Sequence, residues 1–107
     1  MNTLLVLNIN PQVEEDLVDY LLSLECVRGF TTFEVAGHGH HGRLSLAEQV
    51  SGRRKRLQVE LLVEETQAAQ VLAGLEKDVG NDIVWWELPV RRSGYVGDAA
   101  ERPPDCL

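Results

Sequence analysis

Positive charge is scarce in this chain. Ten lysines and arginines stand against seventeen aspartates and glutamates in 107 residues, a formal charge of −7 with the histidines neutral. A chain of that balance repels phosphate-rich surfaces, which excludes a general nucleic-acid or anionic-membrane binder. Cysteine is nearly absent: Cys26 and Cys106 are too few for a disulfide framework. No apolar run approaches the roughly 20 residues that cross a bilayer, so no membrane insertion is expected. Met1 to Asn10 lacks the charged region and cleavage site of a secretory leader. These absences together predict a cytoplasmic protein. Missing too are a nucleophile elbow, a Walker loop, a zinc-protease helix and any paired-cysteine metal motif. The expectation is therefore a protein that is not an enzyme.

What is present fits one domain with a modest core, since 44% of the residues are apolar. The charge is unevenly spread. Pro11 to Glu25 carries Glu14, Glu15, Asp16, Asp19 and Glu25 and no base, whereas Arg43, Arg53, Arg54, Lys55 and Arg56 supply half of the basic residues. Thr3 to Ile9 predicts a strand, with Leu4 to Leu7 apolar in succession. Asn10 and Pro11 suit a helix start, after which Val13, Leu17, Leu21 and Leu24 recur at helical spacing up to Gly29. Phe30 to Ala36 is a second strand and Lys55 to Val63 a third, joined by a long glycine-rich connection over residues 37–54 in which Leu44 to Val50 has room for a helical turn. Thr66 is the expected cap of a second helix, with Ala68, Val71, Leu72, Leu75 and Val79 on its buried side and Gly80 at its end. Ile83 to Val90 is the fourth strand. Residues 1–98 thus form the predicted domain, and 99–107, with Pro103 and Pro104, a flexible tail.

Strand, helix, strand, strand, helix, strand is the order of an α+β ferredoxin-like βαββαβ sandwich: a four-stranded antiparallel sheet with two helices on one face. The other face must then be covered by something else. Trp85 and Trp86 are adjacent and leave the strand on opposite sides. Trp86 groups with Val84, Leu88 and Val90 as the expected helix-facing set, leaving Trp85 with Leu62 on the bare face. An uncovered apolar patch marks an interface, so an oligomer is expected.

All three histidines lie in Gly37-His38-Gly39-His40-His41-Gly42. Neutral imidazole is the commonest ligand of borderline transition metals, which makes His38, His40 and His41 the candidate ligands for zinc, copper or nickel. In extended backbone His38 and His40 share one side and His41 takes the other, so a three-histidine site needs a turn at Gly39 or Gly42. Fewer ligands from one chain, completed by water, Glu34 or a neighbouring subunit, are easier to arrange. Two other readings stay open: a solvated connection with incidental histidines, and an anion-binding glycine loop. The glycine spacing does not announce a dinucleotide site, because it joins strand to strand and not strand to helix. Arg53, Arg54, Lys55 and Arg56 form a candidate partner-binding patch, against the plainer reading of a solvated strand entry. Cys26 falls near the end of an apolar helix face and reads as core, and Cys106 as an incidental tail residue.

The chain resembles the PII-like family of small trimeric signalling proteins over roughly Thr3 to Asp98. Gly29-Phe-Thr-Thr-Phe-Glu-Val-Ala-Gly-His-Gly39 is similar to that family's second strand entering its mobile loop, with Gly37 and Gly39 matching a glycine pair. Lys55-Arg-Leu-Gln-Val-Glu-Leu-Leu-Val63 is similar to the third strand, and Glu87-Leu-Pro-Val-Arg-Arg-Ser-Gly94 to the last strand and the start of a C-terminal loop. The resemblance implies a homotrimer with its three sheets facing inward, ligand sites in the clefts between subunits, and a loop that reaches a membrane transporter or an enzyme. The turn before the last strand, Lys77-Asp-Val-Gly-Asn-Asp82, departs from the glycine-rich phosphate cradle of nucleotide-binding members: it has one glycine, and its acids repel phosphate. A reduced site for a nucleotide or another small anion would use Gly37, Gly39, Lys77, Arg91 and Arg92. Some divergent relatives of this kind accompany heavy-metal efflux systems and others bind nucleotides or bicarbonate; the histidine cluster favours a metal-responsive regulator.

Overall fold

The computed structural model describes residues 2–39 and 54–98. Strand β1 spans Asn2–Ile9, helix α1 Glu14–Ser23, β2 Phe30–Gly37, β3 Arg54–Glu64, α2 Glu65–Ala73, the single-turn α3 Leu75–Asp78, and β4 Ile83–Pro89. All strand pairs are antiparallel and the sheet order is β2-β3-β1-β4. This is the α+β ferredoxin-like arrangement. The predicted helical turn Leu44 to Val50 and the tail 99–107 with Cys106 lie outside the described residues.

Local chemistry explains the element boundaries. The Asn10 side chain accepts a hydrogen bond from the Gln12 amide at 2.9 Å and opens a single 3-10 turn, Pro11–Val13, ahead of α1. Acids at Glu14, Glu15 and Asp16 meet the positive end of the α1 dipole. At α2 the cap is Glu64, not the expected Thr66. Its side chain accepts from the backbone three residues on, while Gln67 accepts from the Glu64 amide at 3.0 Å. That reciprocal pair satisfies two otherwise orphaned donors and outcompetes a lone threonine. The expected long second helix is broken at Gly74, which separates α2 from α3.

The core lies between the helices and one face of the sheet. Leu5, Leu7 and Ile9 of β1 and Leu57, Val59, Leu61 and Val63 of β3 pack against Leu17, Tyr20, Leu21, Ala68, Val71 and Leu75. Cys26 packs against this cluster, partly buried, from the turn that follows α1 and not from the helix face itself. Tyr20 ties the two helices together. Its hydroxyl donates to the Val71 carbonyl at 2.7 Å, one of the last four carbonyls of α2 that have no partner within the helix. Burial is the largest influence on this phenol and pushes its pKa up.

The β1–β4 register corrects one expectation. Leu7 pairs with Trp85 and Val6 with Trp86. Directly paired residues share a face, and Leu7 is on the helix side. Trp85 therefore lies on the helix side, and Val84, Trp86 and Leu88 lie on the bare side with Leu4, Val6 and Leu62. The more apolar set of β4 thus faces away from the core. As an edge strand, β4 has Ile83 packed against the core, while Trp85 remains 51% exposed.

Candidate functional site

Three features converge on the end of the sheet where β2 leaves and β3 returns. His38 and Gly39 follow the last residue of β2, and both are exposed. Gly39 has φ +141°, a conformation that L side chains rarely adopt, so the chain turns there as a glycine permits. His40, His41 and Arg53 lie outside the described residues. A groove of about 360 Å³ lies beside the end of β2, with Pro11, Glu14, Glu34, Lys55 and Leu57 in its lining. Among the described residues no group of three or more histidine, cysteine, aspartate or glutamate side chains is placed to hold a metal ion. Glu34 thus does not complete a site with His38 and another described ligand. A metal site built on His38 needs ligands from outside the described residues, such as His40 and His41, or from a second copy.

The basic segment divides into different roles. Lys55 is exposed, but Arg56 is 3% exposed, which corrects the reading of the whole segment as a solvated patch. Arg56 is buried because its donors are spent internally. Nε donates to Asn8 Oδ1 at 2.6 Å, Nη1 to Asp82 Oδ2 at 3.0 Å, and Nη2 to the main-chain carbonyls of Asn8 and Asp82 at 2.8 and 3.1 Å. Arg54 also pairs with Asp82 through the same carboxylate oxygen. Two guanidinium groups therefore share one carboxylate, binding the first residues of β3 to the end of β1 and to the turn before β4. Neither Asn8 nor Asp82 was singled out as functional from the sequence. The available signal was an asparagine interrupting the apolar run Leu4 to Ile9 of β1 and an acid where a phosphate cradle would need none.

The alternative anion-site residues are not assembled within one chain. Gly37 pairs with Arg54 at the loop end of the sheet. Lys77 lies on α3, ahead of the start of β4, where Ile83 pairs with Ile9. Arg91 and Arg92 follow the other end of β4, where Pro89 pairs with Thr3. The length of β4 separates them, about 20 Å at ~3.3 Å per residue. Only a neighbouring copy can bring such groups together.

The bare face of the sheet carries a group of exposed apolar side chains. Val84, Trp86 and Leu88 are 56%, 39% and 50% exposed, Phe33 is 38% exposed, and Leu4 and Leu62 are half-buried. Gln58 and Glu60 interrupt the patch on β3. No helix among the described residues is long and apolar enough to cross a membrane.

Residues 1–97 match the profile of a family described as "Protein of unknown function (DUF3240)". The chain is also similar to a crystal structure of a DUF3240 family protein from Shewanella baltica OS155, at 25% sequence identity and a TM-score of 0.74, over 90% of this chain and 97% of that one. No curated protein matches the sequence.

Proposed function

We propose, from the premise that the chain belongs to the DUF3240 family, that it is a PII-like cytoplasmic regulator without catalytic activity of its own. In this reading three copies pack their bare sheet faces together. The connection between β2 and β3 then responds to a divalent transition metal held by His38, His40 and His41. Metal binding changes what Arg53 and Lys55 present to a partner, such as a metal-efflux transporter. Zinc, copper and nickel all accept imidazole nitrogen.

The observation that carries the reading is the position of His38. It stands exposed, one residue past the end of β2, at the exit from a rigid sheet whose opposite face is packed by helices. A ligand caught there acts on a segment anchored at both ends by β2 and β3. The uncovered apolar set Val84, Trp86 and Leu88 supports the assembly.

Isothermal titration of tag-free, metal-stripped protein with zinc, copper and nickel tests the proposal. Saturable binding is expected, lost in the H38A/H40A/H41A variant while its size in solution is unchanged. Equal affinity in that variant overturns the metal assignment. The second reading, a nucleotide or small anion held by Gly37, Gly39, Lys77, Arg91 and Arg92, requires two copies because Lys77 and the arginines flank opposite ends of β4. It predicts a raised melting temperature with ATP, ADP, AMP or bicarbonate.

A further inference from the structure

The ion cluster at the loop end has an unequal charge count. Arg54 and Arg56 contribute two positive charges and Asp82 one negative, and both guanidinium groups reach the same oxygen, Oδ2. The cluster also has an unequal exposure. The Arg56 side chain is 3% exposed and that of Arg54 16%, whereas the shared carboxylate is 45% exposed. The two cations are thus largely covered, Arg56 the more deeply, and the anion sits at the rim. Arg56 is held by Asn8 whatever Asp82 does, through Nε to Oδ1 and Nη2 to the main-chain carbonyl. Arg54 spends a single donor of its five on Asp82 among the described residues.

We propose that Arg54 and Arg56 form an oxyanion site and that Asp82 is the built-in anion that fills it. The carboxylate does for the two arginines what a bound phosphate would do, at half the charge. A phosphate group at neutral pH carries about −1.5 to −2, which matches the pair of cations better than one aspartate. Planar guanidinium forks also bind such oxygens in pairs. Asp82 is tethered a second time, by its own carbonyl accepting from Arg56 Nη2 at 3.1 Å. Its side chain is therefore free to swing out to solvent while the turn before β4 stays in place. Closed, Asp82 ties Arg54, the first residue of β3, to the turn before β4; displaced, it releases that tie and leaves a dianion between the two arginines. The residues differ from Lys77, Arg91 and Arg92 and from the histidines, so this proposal does not rest on the metal reading.

Titration of the intact protein with inorganic phosphate, by calorimetry at fixed low ionic strength, tests it. D82N removes the competing charge and keeps the backbone tether. It is expected to bind phosphate at least tenfold more tightly than the wild type, and R54Q/D82N is expected to lose that gain. D82E keeps the charge on a longer arm and is expected to bind no more tightly than the wild type. Circular dichroism of each variant confirms the fold, and D82S serves in place of D82N should the amide disturb the turn. Equal phosphate affinity in the wild type, D82N and D82S overturns the proposal. So does a gain in D82N that survives the loss of Arg54. Metal titration of D82N separates the two readings, because the histidine site is expected to be unaffected by it.

Discussion

Gly74→Ala is a small change placed where the two helices meet. A Cβ built on Gly74 falls 2.6 Å from the Tyr20 hydroxyl and 2.9 Å from Cε1, and the ring belongs to a buried residue. The ring cannot yield cheaply, because its hydroxyl is bonded to the Val71 carbonyl at 2.7 Å. Overpacking of this kind costs about 1–3 kcal/mol, and loss of the tyrosine hydrogen bond adds about 1 kcal/mol. The glycine has φ −99° and ψ −3°, which alanine adopts without strain. Alanine therefore recovers about 0.4–1 kcal/mol through the unfolded chain. The net expectation is a loss of about 2 kcal/mol, or a melting temperature lower by about 10 °C for a domain of this size. Urea unfolding at a single protein concentration measures it, since an oligomer makes stability depend on concentration. Y20F removes the nearest clashing atom, so the double variant G74A/Y20F is expected to lose about 1 kcal/mol less than the sum of the single losses. Strict additivity, or a G74A protein as stable as the wild type, refutes the claim that this contact holds α1 to the break between α2 and α3.

Two further outcomes follow from the same geometry. Burial raises the Tyr20 pKa above its unfolded value, so its contribution is complete below about pH 10 and is lost as pH rises through the folded pKa. Unfolding free energy is expected to fall more steeply above pH 10 in the wild type than in Y20F, as followed by urea titrations across that range. On the sheet, W86E places a charge on the bare face and is expected to reduce the size measured by light scattering to that of a monomer. W85E, on the helix side, is expected to leave it unchanged; the reverse result rejects the pairing of Trp86 with Val6 as the guide to the interface.

The sequence by itself determined the order and kind of the main strands and helices, because alternation, the apolar run Leu4 to Leu7 and the helical period are all local signals. It also located the histidines on the connection between β2 and β3, since the flanking strands are clear. Which face of β4 turns toward the helices was a different matter. Both alternating sets contain a tryptophan, and the more apolar one, with Val84, Trp86 and Leu88, faces away from the helices, so periodicity points to the wrong face and only pairing with β1 decides. The fate of Arg56 was equally hidden. A run of four bases reads as surface because long charged side chains normally stay in water. Here Asn8, 48 positions away, and Asp82, 26 positions away, meet the guanidinium and replace that water. Burial of a charge depends on partners brought from distant parts of the chain. That is a property of the folded arrangement, and no spacing along the sequence expresses it.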